Sequence, residues 1–301
     1  MQDRLEIAHD RISVAGLKLH CARAGSRTVR PPLLFLHGFP ESWYIWRGLM
    51  RRFAPDRLVL APDMRGYNLS DKPGDVEAYR AKHLIADVIG LLDQYGIGKC
   101  VLIGHDWGGI VAWAAALAHP ERFAKLVILN APHAAIFARL LANDPAQQRA
   151  SGYIVKYRTP EAEAYLGRDD CAELRKSITE PALRAGHMTP EDAAAYLAAW
   201  RQPGAIAGMV NYYRAMRMAP PDRKTGETPK PVGLDDAKMI VRVPTLVVWG
   251  MQDRFLLPQC LDGLERYVPD LQVVRLADAS HWLIRERPAE VERALAEFVR
   301  S

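Results

Sequence analysis

The sequence predicts an α/β domain built on a mostly parallel sheet and interrupted by a helical insertion, on three observations. Short runs rich in Val, Leu and Ile alternate with helical patterns over most of the 301 residues, the signature of strands joined by crossover helices. One such run, Cys100-Val101-Leu102-Ile103, leads into Gly104-His105-Asp106-Trp107-Gly108-Gly109 and then another apolar stretch. That is the pattern of a sharp strand-to-helix elbow. From about 134 to 220 the strands stop, leaving an Ala-, Tyr- and Arg-rich stretch with helical spacing and breaks at Pro145, Pro160, Pro181 and Pro190.

The elements follow in order. Residues 5–24 read as an antiparallel edge pair turning near Gly16, and 32–36 as a buried strand ending at His37-Gly38. Residues 57–61 are the next strand, followed by the turn-rich 62–70 and a helix over roughly 80–95. The elbow strand covers 99–104, its helix about 107–118, and 124–130 is the strand after it. Beyond the insertion, 220–240 is polar and loop-like, with Pro220-Pro221 and the Pro229-Lys230-Pro231 cluster. Strands resume at 244–250 and 271–276, and an amphipathic helix closes the chain over about 288–300. This divides the chain into a core (1–133 and 221–301) and a helical cap (134–220).

Composition narrows the function. With 49% hydrophobic and 25% charged residues there is material for one large soluble domain plus an insertion. The net charge of +5 is scattered; its densest groupings, such as Arg51-Arg52, are too short for a nucleic-acid footprint. Cys21, Cys100, Cys171 and Cys260 are far apart, the usage of a reducing compartment, and Cys100 opens an apolar strand. The first residues mix charge with apolar side chains and show no leader, and no apolar run approaches the roughly 18 residues of a membrane helix. A cytoplasmic protein is expected. His9, His20, His83, His119, His133 and His187 show no ligand-like pairing, so no metal and no other cofactor is expected.

At the centre of the elbow stands Asp106, where most such elbows carry Ser. Small neighbours at Gly104 and Gly108 let strand and helix approach and expose the central side chain. A carboxylate is too weak to attack acyl carbon and suits displacement at an sp3 carbon, that is, opening of a strained ring or removal of halide. It needs a base to activate water against the resulting ester, and His281 follows the last predicted strand. An acid must orient that imidazole, and Asp253 lies just past the penultimate strand. An oxyanion hole is also needed, for which the N–H groups of Trp107 and Phe39 are placed. Pro40 reads as a cis-proline that would direct the Phe39 N–H. The order nucleophile, acid, histidine is that of the hydrolases. Taken singly, Asp106 could cap the following helix, Asp253 could be a turn former and His281 a surface histidine. Three strand ends in the right order argue against all three. His105 should point away from the site and pack; His37 is read as a structural hydrogen-bonder.

His37-Gly38-Phe39-Pro40-Glu41-Ser42-Trp43-Tyr44-Ile45-Trp46-Arg47, together with residues 104–109, closely resembles the α/β-hydrolase-fold epoxide hydrolases, over nearly the whole chain. The resemblance implies the α/β-hydrolase fold, a mostly parallel central sheet with helices on both faces and a helical cap. It also implies a two-step reaction, carboxylate attack on an oxirane carbon and then hydrolysis of the ester. In that family two cap tyrosines protonate the epoxide oxygen. Residues 211–216 look like the second tyrosine motif and select Tyr213; residues 152–160 look like the first and select Tyr153. Tyr212 and Tyr157 remain the alternatives within these motifs. Where the family has Gly after the pair matched by Gly66-Tyr67, this chain has Asn68, which tolerates positive φ.

Dehalogenases are the rival. Haloalkane dehalogenases are known for a halide donor, often Asn, where Phe39 stands, and some relatives carry the acid at the position of the uncharged Asn130. Fluoroacetate dehalogenases place Arg where Trp107 and Ile110 stand and a His near Tyr153, so a carboxylate substrate would lack its clamp here. A binding protein on a retired hydrolase fold would show a degraded triad, and none is visible. The expected partner is a small apolar epoxide bound by Trp107, Phe39 and Pro40 between cap and core. A homodimer is compatible with the sequence; nucleic acid and membrane are not expected.

Overall fold

The structure is a computed structural model and describes residues 6–229 and 232–300. The first five residues, read above as lacking a leader, and Lys230 and Pro231 of the polar return loop lie outside the described residues. The strands are β1 (Ala8–Val14), β2 (Leu17–Ala24), β3 (Leu33–Leu36), β4 (Val59–Pro62), β5 (Cys100–His105), β6 (Phe123–Leu129), β7 (Thr245–Gly250) and β8 (Leu271–Leu276). They form one sheet in the order β1-β2-β4-β3-β5-β6-β7-β8. β1 and β2 pair antiparallel with each other and β2 with β4, and every other pairing is parallel.

Burial explains why these runs are strands. β1, at the edge, alternates between exposed and half-buried positions, whereas β3, β4, β5 and β7 are buried throughout, as expected of parallel strands covered on both faces. The side chains then alternate between two cores. Leu33, Phe35, Val101, Ile103, Val127 and Leu129 face one of them. Its cover is α1 (Arg47–Phe53) and, near the chain end, a short helix over Leu283–Glu286 and a long one over Pro288–Arg300. The long helix presents Val291, Ala294, Leu295 and Phe298, spaced for one helical face. Leu34, Leu36, Leu102, Leu126 and Ile128 face the other core, with α2 (Ala81–Gln94) and α3 (Trp107–Ala118).

Between β6 and β7 runs a series of helices: α4 (Ala134–Asn143), α5 (Pro145–Ala150), α6 (Gly152–Arg158), α7 (Ala162–Leu174), α8 (Glu180–Arg184), α9 (Pro190–Trp200) and α10 (Ala205–Ala215). They dock on the loops at the carboxyl ends of the strands. Trp200 Nε1 donates to the Pro40 carbonyl (2.6 Å), Tyr196 to Glu41 (2.9 Å) and Tyr212 to the Arg65 carbonyl (2.9 Å). From Met216 to β7 the described residues hold only a short 3-10 turn, Asp236–Met239.

Two features depart from the sequence reading. α1 and the short helix over Leu283–Glu286 were not anticipated; each is a turn or two long, too short for periodicity to mark. His9 and His20 are not isolated, for His9 Nδ1 lies 2.9 Å from His20 Nε2, and His20 Nδ1 2.6 Å from Asp63. Antiparallel pairing of β1 with β2 sets the two histidines on neighbouring strands, a neighbourhood linear spacing conceals.

Candidate active site

β5 ends at His105 and α3 begins at Trp107, leaving Asp106 alone between them at φ 50°, ψ −121°. Such backbone costs an L-residue on the order of 1–3 kcal/mol and persists only where the surroundings enforce it. They do so here. A Cβ on Gly104 would sit 2.4 Å from the Gly108 carbonyl oxygen, and one on Gly108 2.1 Å from that of Leu36. Across the site, a Cβ on Gly38 would lie 2.4 Å from Asp106 Oδ1. The Asp106 side chain makes no capping bond to α3. Instead Oδ1 accepts the Phe39 N–H at 2.7 Å, while Oδ2 lies 3.6 Å from His281 Nε2. The Phe39–Pro40 peptide is cis, as the sequence suggested. Trp107 N–H belongs to the first turn of α3, where no intrahelical acceptor exists.

His281 and Asp253 meet as their chain order suggested. His281 Nδ1 donates to Asp253 Oδ2 at 2.7 Å. Asp253 Oδ1 accepts from the N–H groups of Phe255 (2.8 Å) and Leu256 (3.0 Å), and Oδ2 also accepts from Asn130 Nδ2 (2.5 Å). Burial opposes its charge, but His281 and these donors hold its carboxyl below the usual range. Burial, the largest single influence, likewise opposes a charged His281; the charges and bonds of Asp253 and Asp106 together outweigh it and lift the imidazole to about 10. The position of His281 between Asp253 and Asp106 thus favours its protonated form.

The tyrosines arrive from the helical side. The Tyr213 ring centroid lies 5.3 Å from that of Phe39, 5.2 Å from Trp107 and 5.9 Å from Tyr153. At Tyr153 and Tyr213 burial is the largest cause of a hydroxyl pKa well above 10, and the Asp106 charge adds to it. The alternatives differ. Tyr212 spends its hydroxyl on the Arg65 carbonyl and packs against Tyr67 and Tyr79. Tyr157 touches Phe39, but its hydroxyl, pushed up to about 12 by burial, senses Tyr165 and Glu173 and not Asp106.

Beneath the elbow, His105 is bonded at both ends, Nδ1 to Glu41 (3.2 Å) and Nε2 to the His281 carbonyl (2.9 Å). It therefore ties the loop of His281 to the turn after β3, a polar role where packing alone was expected. His37 bonds the Met64 N–H and the Gly38 carbonyl, as expected of a structural histidine. Asn130 was passed over as uncharged, yet it holds Asp253 and accepts the Gly250 N–H (2.8 Å); its position after β6 was the available signal. A cavity of about 530 Å³ opens beside Trp107, walled by Ile110, Phe137, Tyr212 and Met216 among others. Phe39 and Pro40 are not among its walls. Among the described residues no cluster of His, Cys, Asp or Glu is arranged to hold a metal ion, and no helix is long and apolar enough to cross a membrane.

With this geometry in view, the chain can be compared with known proteins. Residues 31–288 match the family described as the alpha/beta hydrolase fold. The AB hydrolase superfamily protein YfhM of Bacillus subtilis is 38% identical over 96% of this chain and 97% of its own. Epoxide hydrolase 4 of Mus musculus is 35% identical over 96% of this chain and 78% of its own. Among solved structures, an epoxide hydrolase from Bacillus megaterium superposes with a TM-score of 0.88 at 34% identity, over 97% of this chain and 100% of that one. Potato epoxide hydrolase I superposes with a TM-score of 0.81 at 28% identity, over 98% of this chain and 99% of that one. Sequence and superposition over nearly the full length agree with the elbow geometry, and the chain belongs to the epoxide hydrolases of the α/β hydrolase fold.

Proposed function

We propose that this chain hydrolyses an apolar epoxide to a vicinal diol through an ester on Asp106, with core 1–133 and 221–301 and cap 134–220 closing over the substrate. The observation that carries the reading is the division of labour between the two Asp106 oxygens. Oδ1 is held by the Phe39 N–H and is the future ester carbonyl; Oδ2 faces His281 and is the nucleophile. Oδ2 attacks an oxirane carbon, the C–O bond breaks, and its electron pair stays on the oxygen, which takes a proton from Tyr153 or Tyr213.

The ester is neutral, so one of the two carboxylates sustaining the imidazolium is gone; His281 passes its proton to the tyrosinate left by ring opening, which restores the tyrosine, and is free to act as base. It takes a proton from water, whose oxygen adds to the Asp106 carboxyl carbon. The N–H groups of Phe39 and Trp107 hold the oxyanion. Collapse expels the diol oxygen, which is protonated by His281. The new carboxyl group passes its proton to His281, which restores the resting site. The sum is epoxide plus water to diol. The aromatic rings gathered near Asp106, those of Phe39, Trp107, Tyr153 and Tyr213, suit an alkyl or aryl substituent.

The test uses the His281→Gln variant with styrene oxide and, separately, a bromoalkane, followed by intact mass. Expected is an adduct on Asp106 carrying the whole mass of the epoxide. An adduct from the bromoalkane alone would make the protein a dehalogenase, and none from either would favour a binding protein on a retired fold.

A further inference from the structure

The structure assigns a positioning role to Gln147, a residue outside every motif considered above; the assignment rests on the reading of Tyr153 as proton donor and Asp253 as partner of His281. α5 is held at its start by Asp144, whose Oδ1 accepts the N–H groups of Ala146 (2.7 Å) and Gln147 (2.8 Å). From this fixed turn the Gln147 side chain enters the interior, where it is 0% exposed.

A primary amide offers two N–H donors and two acceptor sites, and here all four are engaged. Nε2 donates to Ser151 Oγ at 2.8 Å and to the Phe255 carbonyl at 2.7 Å. Oε1 accepts the Leu257 N–H at 3.0 Å and the Cys260 thiol at 3.7 Å. Ser151 immediately precedes α6, the helix of Tyr153. Phe255 and Leu257 lie in the loop that wraps Asp253, whose Oδ1 accepts the Phe255 and Leu256 N–H groups. One side chain thus joins the helix carrying the tyrosine to the loop carrying the acid, across 108 residues of sequence at Phe255. The Phe255 ring lies between the two, 5.5 Å from Tyr153 and 5.4 Å from His281.

No other side chain of this size does the same. A carboxylate would turn an acceptor on the Phe255 carbonyl, and methionine would leave that carbonyl and the Leu257 N–H without their partner. Gln147 therefore sets the separation between Tyr153 and the His281–Asp253 pair. Ring opening and ester hydrolysis share it as a common geometric reference.

The test is single-turnover hydrolysis of styrene oxide by the full chain, following the rise and decay of the Asp106 ester by rapid quench and intact mass. Gln147→Met is expected to slow both phases about tenfold, since misplacement of reacting groups by a fraction of an ångström is felt at that scale. Ser151→Ala cuts only the arm to α6. It is expected to slow the rise while leaving the decay within about twofold of wild type. A residue that merely supports the fold would lower thermal stability without separating the two phases. Both variants keeping both phases near wild type, or Ser151→Ala slowing the two equally, overturns the proposal. Should Gln147→Met fail to fold, the ratio of phases in Ser151→Ala decides alone. A wild-type chain that forms no ester overturns the catalytic reading itself, and with it the role of Gln147.

Discussion

The two sides of the site are held by different forces. On the sheet side, Asp106, Asp253 and His281 sit directly at strand ends and are held by short, directed bonds: Phe39 N–H to Asp106, Asn130 Nδ2 and two loop N–H groups to Asp253, and His281 Nδ1 to Asp253, with His281 Nε2 3.6 Å from Asp106. On the helical side, Tyr153, Tyr157 and Tyr213 are placed by aromatic edges against one another and against Phe39 and Trp107. The first arrangement fixes charge, which directed hydrogen bonds in a buried site hold strongly. The second leaves hydroxyls uncommitted, which a proton donor to a transient oxygen requires. Tyr212 marks the contrast: one residue from Tyr213, it has given its hydroxyl to a carbonyl.

Variants on each side sharpen the contrast. Asp106→Asn removes the proposed nucleophile and is expected to lower styrene oxide turnover by about 10⁴-fold or more; residual activity within tenfold would break the scheme. Next in size, Tyr153→Phe combined with Tyr213→Phe should cost ring opening about 10³-fold, the general-acid contribution. Tyr212→Phe, by contrast, should leave the ring-opening rate within a few-fold and lower the melting temperature. If Tyr212→Phe proved the more damaging to ring opening, the assignment of the pair would be reversed.

A smaller loss is expected from Asn130→Ala. Removing a hydrogen bond to a charged group costs on the order of 1.5–3 kcal/mol, felt as roughly ten- to a hundredfold slower ester decay with little change in its formation. The last expectation is a pH effect on stability. His281 is lifted from 6.5 to about 10 in the folded chain, so its contribution is complete below about pH 6.5 and is lost as pH rises through about 10. The melting-temperature difference between wild type and His281→Gln should therefore shrink from pH 6 to pH 10. A constant difference would mean that the imidazole is not charged in the resting site.

Much of the sheet side was legible beforehand. The elbow was, because Gly104 and Gly108 are dictated by backbone contact under 2.5 Å to any added Cβ, a constraint that leaves a mark in linear sequence. Asp253 and His281 followed from their order after apolar runs. Asn68 was too: it does take φ 38° in its turn. The helical side was less so. Tyr212 and Tyr213 are neighbours on one helix, about 100° apart around its axis, and nothing local says which face meets Asp106. Gln147 lies on a short helix without a motif, and Asn130 carries no charge to draw attention.

By itself, then, the sequence determined the alternation of strands and helices, the elbow at Asp106 and the chain order of Asp253 and His281 after it, because local periodicity and backbone clearance are written residue by residue. The tertiary structure alone decided which tyrosine hydroxyl stays uncommitted, which nitrogen of His105 finds which acceptor, and that Gln147 joins α6 to the Asp253 loop. Those outcomes depend on contacts between segments far apart in the chain, and such contacts are chosen by packing.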